Sequence, residues 1–169
     1  MKYAKIKKRD IANGTGVRVS VFVSGCENYC KGCFNSEAWD FNYGNEFTND
    51  TVNEIIEAAK PDFIAGLSIL GGEPLHPKNI SEVLMLAGCF KQIYPNKTVW
   101  LYTGYKIEEV PPVFFDDMKT LDVIVDGPFI EDLKDVSLTF RGSSNQRIID
   151  WKSSISERKI VTLDLDRKK

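Results

Sequence analysis

Three cysteines fall within eight positions of one loop, Cys26, Cys30 and Cys33, in the stretch GCENYCKGCFN. Thiolates bind soft or borderline metals, and the spacing C-x3-C-x2-C gathers three sulfurs without long-range folding. A structural zinc site closes with four ligands, whereas a catalytic metal site keeps one position open. A cubane iron–sulfur cluster normally takes four cysteines, one on each iron. Three cysteines therefore need a distant fourth donor, or they leave one position for something else to bind. The chain holds one further cysteine, Cys89, and a single histidine, His76. Cys89 lies in an apolar helical stretch and reads as a small buried hydrophobe. His76 follows the segment GGEP and is the candidate fourth ligand of a zinc knuckle. From spacing alone, zinc and an open cluster both stand.

Other segments can contribute chemistry. In LGGEP (70–74) paired glycines let a ligand approach the backbone, and Glu73 can accept hydrogen bonds from an ammonium group. Alone, the same residues read as a strand-ending turn. NGTGVR (13–18) lacks the third glycine of a dinucleotide fingerprint, with Val19 in its place. Arg18 there faces either a partner or a solvated edge. YTGY (102–105) and DVIVDGPF (122–129) end strands in glycine, and Asp126 is a possible active-face carboxylate, although aspartate is common at strand ends. FRGSSNQRIIDW (140–151) crowds two arginines with amide and hydroxyl side chains.

These residues must be positioned by a domain of ordinary composition. With 169 residues the chain fits one domain (1–169), with a core of about 10–150 and a C-terminal tail at 152–169. Hydrophobic residues make up 43% and charged residues 27%, with a net charge of −2. That balance gives no general attraction to nucleic acid or to an anionic membrane. The start, MKYAKIKKRDIANG, lacks the apolar run of a signal peptide, and no stretch approaches the roughly 18 apolar residues of a membrane span. The expected location is the cytoplasm, where clustered cysteines point to metal binding or redox chemistry.

The periodicity predicts strands at 17–25, 63–72, 97–104 and 122–127. It predicts helices at 48–60 and 79–94, and a short one within 111–121. Val17, Val19, Val21 and Val23 share one face of the first strand, and FIAGLSILGG is apolar on both faces, as in a buried parallel strand. Strand–helix alternation at this length predicts an α/β fold with a parallel sheet, as an open or partial barrel. In such sheets the reactive groups sit at the carboxyl ends of the strands. The cysteine loop, GGEP and YTGY all fall there.

C-x3-C-x2-C after a first strand resembles the signature of the radical S-adenosylmethionine (SAM) enzymes. That resemblance implies a partial, open parallel β/α barrel in which Cys26, Cys30 and Cys33 hold a [4Fe-4S] cluster, with the amine and carboxylate of SAM chelating the open iron. LGGEP resembles the family's glycine-rich motif, so Gly71, Gly72 and Glu73 are expected to hold the cofactor's amino group. Many members place an aromatic residue just before the third cysteine; here Gly32 stands there and Phe34 follows, and the segment Gly32, Cys33, Phe34 is expected to lie against the cofactor. The ordered set NGTGVRVSVFVSGC, CKGCFN, GGEPL, YTGY, DVIVDGPFI and RGSSNQR is similar to one subfamily, the anaerobic ribonucleotide reductase activating proteins, over most of residues 10 to 150.

The resemblance implies that flavodoxin or ferredoxin reduces the cluster, that SAM is cleaved to methionine and a 5′-deoxyadenosyl radical, and that this radical takes hydrogen from a glycine of the reductase. No side chain is then needed as a catalytic acid or base, and RGSSNQR would dock the partner or close the site. Rival readings are an activase of another glycyl-radical enzyme, a radical SAM enzyme acting on a small molecule, and a non-enzymatic zinc-binding interaction module.

Overall fold

The computed structural model describes residues 1–166. Its frame is one seven-stranded sheet that does not close, in the order β3-β1-β2-β4-β5-β6-β7. The strands are β1 (Lys2–Asp10), β2 (Val17–Val23), β3 (Asn45–Glu46), β4 (Ile64–Gly71), β5 (Thr98–Tyr102), β6 (Val123–Asp126) and β7 (Arg147–Asp150). The four central strands β2, β4, β5 and β6 are parallel. Strands β1, β3 and β7 flank them in antiparallel pairs. Parallel neighbours need crossovers, and these contain helices α1 (Asn49–Ala58), α2 (Ile80–Ile93) and the short α3 (Phe115–Met118). Helix α4 (Trp151–Glu157) follows β7, and the Asp150 side chain caps it by accepting from the Ser153 amide.

Side chains alternate across a strand, and the two faces of the sheet differ. Val19, Val21 and Val23 join Leu67, Ile69, Leu101, Ile124 and the inner faces of α1 and α2 in the main core. The opposite face carries a smaller cluster of Trp100, Val123, Val125 and Ile148, with Leu163 and Leu165 of the tail against it. Buried beside it is Arg18, whose guanidinium lies 5.4 Å from the Trp100 ring. Its Nε donates to Ser68 Oγ (2.7 Å), and its Nη atoms donate to the Thr98 hydroxyl and to the carbonyls of Thr15, Leu67 and Thr98. Burial lowers its pKa to about 10, so it remains charged at neutral pH. Arg18 is therefore a cross-tie inside the sheet and faces neither solvent nor a partner.

One further expectation changes. Cys89 is half-buried and outside the core cluster that holds Val83, Leu86 and Phe90, with Sγ 3.9 Å from Met85 Sδ. The core covers only one helix face, and Cys89 lies off it. The short helix expected within 111–121 is present as α3, preceded by a 3-10 turn at Pro112–Phe114. The tail is tied to the sheet edge: Leu163 N donates to Ile148 O (2.7 Å) and Asp150 N to Val161 O (2.9 Å). Residues 167–169, the end of that tail, lie outside the described residues. Among the described residues no helix is long and apolar enough to cross a membrane.

Candidate active site

The cysteine loop leaves the end of β2 and is pinned at its base. Gly25 N donates to Ala38 O (2.7 Å), Cys26 N to Trp39 O (3.1 Å), and Glu73 N to Gly25 O (2.8 Å). A Cβ on Gly72 would lie 2.5 Å from Gly25 O, and one on Gly71, at φ +117°, 2.5 Å from Val23 O. The glycine pair thus lets the end of β4 press against the start of the cysteine loop. Further on, Cys33 N donates to Cys30 O (3.1 Å), closing the turn between the second and third cysteines.

All three cysteines line one cavity of about 420 Å³, within the usual range for small-molecule and cofactor sites. Gly32, Phe34, Asn28, Gly71, Gly72, Thr103 and Gly104 share that lining, so three strand ends converge there. The far wall comes from the segment between β6 and β7, with Phe129, Leu138, Phe140 and Arg141. Phe34 stands at the rim with 88% of its surface exposed. Cys26 is buried, and that burial pushes its thiol up to about 11. Coordination requires the thiolate, so metal binding at Cys26 would release a proton.

Glu73 is wholly buried. Its Oε1 accepts from Leu75 N (2.9 Å) and Thr103 Oγ1 (2.7 Å), and its Oε2 from Gly104 N (2.8 Å) and Asn28 Nδ2 (3.1 Å). Burial raises the carboxyl above its usual range, although these donors pull the other way. Asn28 and Thr103 are the contributors that sequence reasoning missed. Their only signal was their place inside the cysteine loop and YTGY.

Two other candidates have structural partners. Asp126 accepts from Ile107 N (2.9 Å) and pairs with Arg147, which also pairs with Glu108. It ties β6 to β7 and is absent from the cavity lining. His76 accepts from Lys78 N (3.1 Å) and holds Nε2 3.4 Å from Glu27, with its ring against Phe41. Among the described residues no three His, Cys, Asp or Glu side chains are gathered to hold a single metal ion.

The 141–147 segment braces the far wall. Gln146 accepts from the Gly142 and Ser143 amides and donates to Gly127 O, and Asn145 donates to Pro128 O. Arg141 donates to Gln146 O and pairs with Asp166 of the tail. Among the described residues, the buried Tyr102 hydroxyl and Arg141 Nε have no hydrogen-bond partner, and both residues line the cavity. Three thiols, a buried carboxylate and two unpaired polar groups suit a cluster with a polar cofactor better than an apolar ligand.

Comparison with known proteins supports an iron–sulfur cluster domain. A family model described as a 4Fe-4S single cluster domain matches residues 12–149. The anaerobic ribonucleoside-triphosphate reductase-activating protein of Escherichia coli (strain K12) is 41% identical over 148 residues, covering 86% of this chain and 96% of that protein. The protein of the same name from Vibrio cholerae is 41% identical over 150 residues, covering 88% and 97%. That of Enterobacteria phage T4 is 40% identical over 148 residues, covering 88% and 93%. With a family model spanning the cysteine loop and the four parallel strands, and relatives at about 40% identity over most of both chains, the chain belongs to the family of anaerobic ribonucleoside-triphosphate reductase-activating proteins.

Proposed function

We propose that this chain is a radical SAM activating enzyme that generates a glycyl radical on an anaerobic ribonucleoside-triphosphate reductase. The observation that carries the reading is that three cysteines share one cavity lining with Gly71 and Gly72, while Glu73 lies buried behind that lining, bonded to its residues Asn28, Thr103 and Gly104. Family membership supports the iron–sulfur centre and the reductase as target. In this reading the open sheet is a partial barrel of the radical SAM type, and residues 1–169 form one activase domain in the cytoplasm.

Cys26, Cys30 and Cys33 would hold the cluster, and the cavity they line beside Gly71 and Gly72 would take SAM. A cluster bound there and reduced by flavodoxin or ferredoxin would supply the one-electron chemistry for reductive cleavage of SAM and hydrogen abstraction from glycine. The chain's own residues position and shield. Glu73 offers an anionic acceptor for the amino group, and the Gly71–Gly72 corner sets its distance from the cysteine loop. Gly32 and Phe34 border the cofactor on the rim side. Phe129, Leu138 and Phe140 present an apolar wall that limits water, and no side chain acts as a proton donor.

The test is anaerobic reconstitution with iron and sulfide, reduction by dithionite, and EPR with and without SAM. The expected result is a reduced [4Fe-4S] signal whose shape changes when SAM is added. Tightly held zinc with no iron would contradict the reading and favour a metal-stabilised binding module.

A further inference from the structure

A carboxylate offers about four lone-pair positions, and in Glu73 all of them are taken from within the chain. Leu75 N and Thr103 Oγ1 fill Oε1; Gly104 N and Asn28 Nδ2 fill Oε2. An ammonium group therefore reaches Glu73 by replacing a donor and not by adding one. The four donors are unequal. Leu75 and Gly104 donate from the backbone, and Thr103 is buried with its hydroxyl also accepting from Tyr105 N (3.1 Å). Asn28 donates from a half-buried side chain that lines the cavity, and its 3.1 Å bond is the longest of the four. Its amide fits against a bare backbone, because a Cβ on Gly104 would stand 2.3 Å from Asn28 Nδ2.

We infer that Asn28 is a displaceable stopper on Glu73, holding the carboxylate until the ammonium of the cofactor takes its place. The inference rests on the proposal that this cavity binds SAM. Asn28 lies midway between Cys26 and Cys30, so the exchange links arrival of the amine to the conformation of the cysteine loop. Asn28 is thus a positioning residue that acts through Glu73, and its amide competes with the ligand.

Equilibrium dialysis under anaerobic conditions tests this, with reconstituted wild-type and Asn28→Ala proteins and two ligands, SAM and an analogue lacking the α-amino group. Removing the competing hydrogen bond is expected to tighten SAM binding about fivefold. The amine-free analogue should bind both proteins within about twofold, since it makes no exchange at Glu73. Asn28→Ser, whose hydroxyl is too short to reach Glu73, should reproduce the gain. Weaker SAM binding in the variants, or an equal gain for both ligands, would overturn the inference. Loss of iron from both variants would also overturn it and leave Asn28 as a structural support of the loop. Absence of SAM binding to wild-type protein is a different failure, because it removes the proposed function itself.

Discussion

Cys30→Ala protein should reconstitute with almost no iron while keeping its fold. Cys30 is only half-buried and lies in a loop outside the core, so its loss removes a proposed ligand and little packing. Two thiols remain, and the ligand set is then short by two irons instead of one. Loss of an outer partner of a metal ligand already lowers affinity or activity by roughly 10–100-fold. Removing a direct ligand should exceed that, and glycyl-radical formation should fall more than about a hundredfold. Iron and sulfide analysis, with a thermal melt of the metal-free protein, separates the two effects. Cys89→Ala is the matched control and should retain a full cluster, because Cys89 contacts Met85 on α2 and is absent from the cavity lining. Full iron in Cys30→Ala protein would show that the three-cysteine ligand set is wrong.

The second large effect is on stability and lies away from the chemistry. Arg18→Leu removes a buried guanidinium whose donors satisfy two hydroxyls and three carbonyls in the sheet interior. Leucine fills part of the volume but removes the guanidinium donors from those acceptors, at about 1–3 kcal/mol for each one that is left unsatisfied and dry. Relaxation and water entry reduce the sum, and an overall loss of about 3–5 kcal/mol is expected. Against a typical domain stability of roughly 5–15 kcal/mol, that brings the chain close to unfolding. Arg18→Lys should also be destabilising, because a compact ammonium cannot span Ser68, Thr98 and Leu67 at once. Urea denaturation of the metal-free protein measures both. A loss below about 1 kcal/mol for leucine would mean that water already serves these acceptors.

Arg18 also shows what the sequence left open. Its alternation with Val17 and Val19 placed it on the second face of β2, but that face could equally have been solvated. Only the neighbouring strands, with Ser68 and Thr98 50 and 80 positions away, make it an interior cross-tie. The central strands were legible because β-branched and apolar residues fill both faces of β4 and one face of β2. Strand β1 escaped notice because KYAKIKKRD is lysine-rich and mostly half-buried or exposed. That is the pattern that protects a strand near a sheet edge. Strand β7 and α4 are short, and the tail's pairing with β7 depends on backbone hydrogen bonds that carry no residue signature.

The site divides in the same way. Local spacing marked Cys26, Cys30 and Cys33, and the glycine corner beside Glu73 was visible as a motif. Asn28 was hidden, because its partner Glu73 lies 45 positions away and an asparagine in a loop has many ordinary uses. The far wall was hidden for another reason. Residues 128–142 have no periodicity, and Phe129, Leu138 and Phe140 come together only when Gln146, Asn145 and Asp166 brace the segment.

The most direct test of the central claim is to mix the reduced, cluster-bearing protein with the anaerobic reductase and SAM and record EPR of the reductase. A glycyl-radical doublet is predicted on the reductase, dependent on SAM and accompanied by methionine and 5′-deoxyadenosine. Cleavage of SAM that leaves no radical on the reductase would contradict the claim and point to a different acceptor of the radical.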